Sequence, residues 1–429
     1  MQQPELEITS MREDTTEQQR PLHETLGDRA KGLQIGTISL QNARLHYKEN
    51  PDDESERFAI TGFDLTISEL QLDSQSYQAQ DRAYYASMID FKAREANMLM
   101  ANGFYRFHTD SIKLNTQKGT LSIHNIKSKA LLSAAEMSRQ KSEAVTYYDF
   151  EVPAVLLTGI DYGAHFRNKS ILASRVDLEG IQFSAYKNKK NFSNEGPKPL
   201  PHDLVQQIKA DFSIDTININ NMYVRYDELG EDANETGHIT FESLNGSITN
   251  LSNMPERMTM DNPAVVEASA MIMGKMPVSI LVHLPLLAKN GHHRLVGDVG
   301  EGSPELLNPI LEPTNFITIE SGYVQKGHFE AELNNESATG TMRIIYSNFE
   351  AELLSKDEDK RQGLGKEVLS EVANWALIKS SNPGDKGEKP RIGNIAVTRN
   401  KDRSFFTYWK DCAASGFLSS AGLDMISEK

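Results

Sequence analysis

The sequence predicts a mainly β protein whose repetitive antiparallel strands curl into an elongated groove, with only a few short helices. Two observations carry that prediction. Ile35, Thr37, Ile38, Leu40, Asn42, Leu45 and Tyr47 return 179 residues later as Ile214, Thr216, Ile217, Ile219, Asn221, Val224 and Tyr226. A repeat this long, built from alternating apolar positions, is a unit that stacks on its neighbours and generates a concave surface. The second observation is that period-two alternation recurs widely outside the repeat.

Taken in order, the first copy opens with Pro4-Glu5-Leu6-Glu7-Ile8, which resembles the strand at Ile181 to Tyr186. His23 and His202 share the offset of the repeat, each behind a Pro-containing stretch. Ile38 and Leu40 hold one parity and Leu45 and Tyr47 the other, as do their counterparts Ile217, Ile219, Val224 and Tyr226. A bend is therefore expected at Asn42 and Asn221, with side chains that hydrogen-bond the backbone of a bulge. Phe63, Leu65, Ile67 and Leu70 align with Leu244, Gly246, Ile248 and Leu251 at an offset of 181, so the acidic loop between these strands grows by two residues in the second copy. Loop growth with strand retention is what stacked strands tolerate.

The segment 82–100 mixes helix formers with a run from Phe91 to Leu99, and we read it as strand. Ile112 with Leu114, Leu121 with Ile123, Val176 with Leu178 and Ile181 with Phe183 alternate, and Glu179-Gly180 shifts parity as a bulge does. Behind Pro201, the stretch from His202 to Ala210 places Leu204, Val205 and Ile208 on one helical face. Val266 to Ile272 and Val278 to Leu284 read as a half-buried hairpin across a turn at Gly274-Lys275. Lys366 to Lys379 reads as an amphipathic helix, and 404–417 as another with Phe405, Trp409 and Cys412 on one stripe. Charged, Pro-containing stretches at 49–57, 187–202, 227–236 and 355–365 are loops. The domain cuts follow the repeat: a first β module over 1–150, a second over 151–355 and a closing segment over 356–429.

Charge narrows the partners. The 60 acidic and 45 basic residues give a formal net charge of −15, which argues against nucleic acid because nothing offsets phosphate repulsion. The single cysteine, Cys412, rules out a disulfide framework and reads as a small buried apolar residue. No stretch approaches eighteen apolar residues, and the first thirty are polar, so the chain as written carries no export signal or anchor.

Chemical motifs are sparse. His292-His293 sits in a Gly-flanked turn without further ligands at strand or helix spacing and reads as a solvated loop, so no metal site is assigned. Gly363, Gly365 and Lys366 lack the spacing and leading strand of a phosphate loop and read as a helix start. Gly297, Gly300 and Gly302 do not form the dinucleotide fingerprint, and no nucleophile elbow occurs. No catalytic residue and no cofactor are assigned. The alternating strand positions remain: Ile38, Leu40, Ile217, Ile219, Val278, Ile280, Val282 and Leu284 are the candidates for an apolar groove lining. In a closed sandwich they would be core; in an open curved sheet they would face a trough.

Ile239 to Leu251, Met271 to Pro277, Leu307 to Ile310, Ala338 to Met342 and Tyr346 to Asn348 follow in an order that resembles AsmA-like envelope proteins of Gram-negative bacteria, particularly the Bacteroidota type. The ending, Ser381-Asn382-Pro383 and then Arg399 to Phe406, resembles them too. The resemblance runs from about residue 170 to the C-terminus and reaches the first copy only through the repeat. It implies a periplasmic β-rich protein with a long apolar groove, normally anchored to the inner membrane by an N-terminal helix. Without that helix, and with the first copy starting abruptly, the chain reads as an N-terminally truncated member.

On that resemblance the expected function is non-enzymatic: binding or conducting phospholipid or another acyl-chain ligand in support of outer-membrane lipid homeostasis, alongside envelope protein partners. The alternative is a structural scaffold that assists outer-membrane protein assembly with a closed β core. A hydrolase is a third reading, without a legible nucleophile, base and oxyanion donor. Phe405, Phe406 and Trp409 are candidates for a membrane interface, against an end cap for the sheet.

Overall fold

Strands with β-branched or aromatic residues at every second position have one apolar face, and pairing side by side joins those faces into a continuous surface. The computed structural model describes residues 4–9, 21–27, 32–48, 56–100, 103–190, 192, 196–354, 378–384 and 387–423. Over these the protein is mainly β, with 18 strands that pair almost throughout antiparallel. No helix among the described residues is long and apolar enough to cross a membrane.

The chain divides into two compact units, the first comprising 1–133, 149–182 and 208–219. Its strands are β1 (Glu5–Thr9), β2 (Gln34–Lys48), β3 (Phe58–Gln71), β4 (Met88–Leu99), β5 (Tyr105–Thr109), β6 (Ser111–Asn115), β7 (Thr120–Ala130), β8 (Thr146–Thr158) and β9 (Ile171–Glu179). β1 lies parallel to β2, and the order from β2 to β9 is an antiparallel meander. Asp110 separates β5 from β6, and both pair with β4 on one side and β7 on the other, so they act as one interrupted strand.

The second unit comprises 134–148, 183–207 and 220–429. After β10 (Gln182–Asn188) and β11 (Phe212–Leu229) come β12 (Gly237–Ser252), β13 (Ala264–Ile272), β14 (Met276–Leu284), β15 (His293–Val299), β16 (Ile317–Leu333), β17 (Ser337–Leu353) and β18 (Ile392–Thr398). From β12 to β18 each strand pairs antiparallel with the next. The predicted hairpin is β13 with β14, in the register Val266↔Val282, Ala268↔Ile280 and Ala270↔Val278. Its turn uses Met273 and Gly274, both at positive φ. The segment read as strand within 82–100 is β4. Gly180, at φ 67°, breaks β9 from β10 where the parity shift was expected.

The duplication is written into the backbone. Asn42 and Asn221 take φ of 51° and 52°, a left-handed conformation that asparagine tolerates better than branched residues. On the partner strands Gly62 and Glu69 in the first copy and Ser243 and Asn250 in the second are also at positive φ, each pair offset by 181 residues. The ladder slips beside Asn42, between Leu40 and Ala43. Here the expected roles are reversed: the backbone N–H of Asn42 donates to Asp64 Oδ1 at 2.8 Å, and that of Asn221 to Asn245 Oδ1 at 3.0 Å. The neighbouring strand caps the bulge, while the Asn42 carboxamide oxygen accepts from the Arg94 guanidinium.

Two helical expectations change in detail. The helix behind Pro201 stops at Gln206, and it buries His202 and Val205 while Leu204 is 49% exposed. Asp203 explains the tight start, because its carboxylate accepts from the Leu200 N–H. The C-terminal helix is Phe405–Ser420, started by Ser404, whose hydroxyl accepts from the Thr407 N–H. The helix expected over Lys366 to Lys379 and the glycines Gly363 and Gly365 lie outside the described residues, apart from Ile378 and Lys379.

Candidate ligand-binding faces

Cross-strand register places the apolar residues of the first unit in rows. One row reads Leu40, Leu65, Phe91, Leu114, Leu121, Leu157 and Val176 across β2, β3, β4, β6, β7, β8 and β9. Beside it run Ala43, Phe63, Ala93, Ile112, Ile123, Val155 and Leu178 on the same strands. Ile38, Ile67 and Ile89 begin a third. At about 4.8 Å per strand step, seven strands make a band about 29 Å long. That is roughly twice the depth of one leaflet's hydrocarbon, so a whole acyl chain has room along it.

Burial along this band is incomplete. Ala43, Ile60, Phe63, Ala93 and Ala96 are enclosed by their neighbours, with the Phe63 and Phe91 rings 5.5 Å apart. Leu40, Leu65, Phe91, Leu114, Leu121 and Leu157 remain half-buried. Among the described residues, this buried cluster draws on strands alone.

The second unit treats its apolar face differently. Val282, Leu295, Ala331, Leu333 and Met342 from four strands are buried together with Tyr408 and Cys412 of the C-terminal helix and Val205 of the Pro201 helix. Cys412 is fully buried, as its lone occurrence implied, and burial pushes its thiol up to about 12. Gly393 and Gly416 allow the helix to lie against β18: a Cβ on Gly393 would meet Gly416 O at 2.0 Å.

The eight predicted groove residues are therefore split by environment. Ile38 and Leu40 lie in the rows of the first unit, and Ile217 and Ile219 are half-buried on β11. Val278 and Ile280 are half-buried on β14, whereas Val282 and Leu284 are 0% and 5% exposed within the core. Of the C-terminal aromatics, Phe406 is 65% exposed, Phe405 stacks edge-on against Trp409, and Trp409 donates its indole N–H to His293 Nε2 at 3.0 Å.

That last bond corrects the solvated-loop reading of His293, which opens β15 and is fully buried. Indole only donates, so His293 Nε2 must accept, and the ring proton sits on Nδ1, which donates to Gly291 O at 2.8 Å. Burial first, then nearby cationic groups, pushes the imidazole down to about 4, so it is neutral. His202 lies against it, with ring centres 5.6 Å apart, and its Nε2–H donates to His292 O. Its Nδ1 is without a partner among the described residues, and burial lowers its pKa as well. In the first copy the equivalent His23 bonds Tyr85, a fully buried phenol, through Nδ1 at 2.7 Å. In each copy the histidine before the long strand thus packs against aromatic rings.

Sequence alternation already marked Leu114, Leu121, Ile123 and Val176 as strand residues. It missed that they line up with Leu40 and Leu65, because register depends on which strands become neighbours. Among the described residues no group of three or more His, Cys, Asp or Glu is arranged to hold a metal ion. No protein-family model matches the chain, and no curated protein matches it.

Proposed function

We propose that the protein is a lipid-handling member of the AsmA-like envelope group, and that the apolar band of the first unit holds acyl chains. The observation that carries this reading is the pair of seven-residue rows whose leucines stay half-buried, joined to a buried cluster that, among the described residues, draws on strands alone. Burying an acyl chain contributes about 0.8 kcal/mol per methylene, so a band of this length can hold a chain that water would reject. Work of this kind needs no catalytic group, and in a periplasmic setting it would move phospholipid between membranes.

Native mass spectrometry of protein purified from a membrane-containing lysate tests the proposal. Phospholipid should be retained by the wild type and lost from Leu121→Asp, whose new charge sits in the middle of the band. Clean protein without lipid, from a preparation in which the fold is intact, contradicts it. The filled core of the second unit favours a second reading, a scaffold for outer-membrane protein assembly, in which case affinity capture recovers envelope proteins and no lipid.

A further inference from the structure

The C-terminal helix is held to its sheet in two unlike ways. Its buried residues Tyr408, Cys412, Ser415, Gly416 and Ser420 form one stripe. Over the last two turns that stripe is bonded to β18 and its flank: the Ser415 hydroxyl accepts from the Ala396 N–H, the Ser419 hydroxyl from the Asn394 N–H, and Ser420 O from the Arg391 guanidinium at 2.9 Å. Over the first two turns the ties are long side chains. Tyr408 Oη donates to Asn334 O at 3.3 Å, and Trp409 Nε1 to His293 Nε2 at 3.0 Å. Small residues, Ala413 to Gly416, separate the two halves.

The His293 bond exists in one protonation state only. Its Nδ1 proton is already committed to Gly291 O, so a second proton must enter at Nε2, where it would confront the indole N–H. Two donors cannot share that contact. The surroundings offer no counter-charge: the Pro201 helix presents the His202 ring, the preceding turn His292, and the end of β18 the cationic Arg399, whose guanidinium donates to Lys198 O. Carboxylates on the packed elements are engaged elsewhere. Asp203 accepts from the Leu200 N–H, Glu332 lies 3.4 Å from His292 Nε2, Glu336 takes Lys401 at 2.6 Å and Asp411 takes Lys410 at 3.0 Å.

We propose that the first two turns of the C-terminal helix are a proton-released lid over the apolar face of the second unit. Protonation of His293 breaks the Trp409 tie, the stacked Phe405, Phe406 and Trp409 rings leave together, and the helix pivots about Ala413 to Gly416 while its last turns stay bonded to β18. The cluster beneath includes Leu295, Leu333, Ala338 and Met342, so acid turns a filled face into an open apolar one. The lid belongs to the second unit alone and is independent of acyl-chain binding in the first.

Cys412, the single cysteine and fully buried, reports the opening. The full chain is labelled with dithiodipyridine, a thiol reagent active in acid, and each rate is divided by that of the urea-unfolded chain at the same pH. Between pH 7.5 and 4.5 the normalised rate should rise about seventyfold, because an imidazole held near 4 in the closed form takes up its proton at 6.5 once released. His293→Gln can accept from the indole but cannot take a proton, and should remove most of that rise. Trp409→Phe keeps a ring and loses the donor, and should raise labelling about fivefold already at pH 7.5. Unchanged far-UV circular dichroism at pH 4.5, with labelling that depends only weakly on urea below the midpoint, shows a helix opening without unfolding of the unit. Equal protection of Cys412 at both pH values, a rise as large in His293→Gln as in the wild type, or labelling as steep in urea as global unfolding overturns the proposal.

Discussion

In the first unit Leu65 and Leu121 sit half-buried in rows made of strand residues, whereas in the second Val282 and Leu295 are enclosed in a cluster that includes Tyr408 and Cys412 of the C-terminal helix. The strand material is alike, since the two copies share their bulges at Asn42 and Asn221 and their ring-packed histidines His23 and His202. What differs is that the buried cluster of the second unit takes in helical residues, while that of the first, among the described residues, does not. A sheet face with a helix on it is core, and the same kind of face without one is a surface that gains from an apolar ligand.

Truncation separates the two faces most strongly. Leu295→Ala leaves a cavity in a filled core and should cost about 2 to 5 kcal/mol by urea denaturation. Leu121→Ala removes a half-exposed side chain and should cost about 1 kcal/mol or less, because solvent or ligand already borders it. Equal costs at the two positions would erase the distinction.

Acid should act on the second unit in particular. His293 is held near 4 in the fold against an ordinary value of 6.5, so between those values the unfolded chain takes up a proton that the folded one refuses. Stability is then complete above pH 6.5 and falls as pH drops towards 4, by up to about 3 kcal/mol, with His202 acting in the same direction. His293→Asn should flatten that slope in a series of urea midpoints between pH 4.5 and 7.5. A variant as acid-sensitive as the wild type would show that the buried imidazole is not the cause.

The smallest effect sharpens the likeness between the copies. Asn221→Ala forces a Cβ-bearing residue without a carboxamide into left-handed backbone and should cost about 1 kcal/mol, with Asn221→Gly near neutral. Asn42 should behave in parallel. A neutral alanine at both sites would mean that the bulges relax, and that their shared geometry is not held by the backbone.

Much of this architecture could be read in advance. Parity shifts at Asn42, Asn221 and Gly180 are local events, and the β13–β14 hairpin is joined by its own turn, so neighbouring residues were enough to find them. Val282 and Leu284 carried the same alternating pattern as Ile38 and Leu40, yet one pair is core and the other is half-buried. That outcome depends on where residues more than a hundred positions away come to lie, as with Trp409 against His293. Pairing of Asp298 with His328 was hidden for a related reason, because it exists only once β15 and β16 are in register.

Site-specific photo-crosslinking in cells tests the central claim most directly, with a photoreactive amino acid placed at Leu65 or Leu121 in the first unit and at Leu295 in the second. The account predicts phospholipid adducts at Leu65 and Leu121 and none at Leu295. Adducts absent from both first-unit positions, or equally abundant at all three, would contradict it.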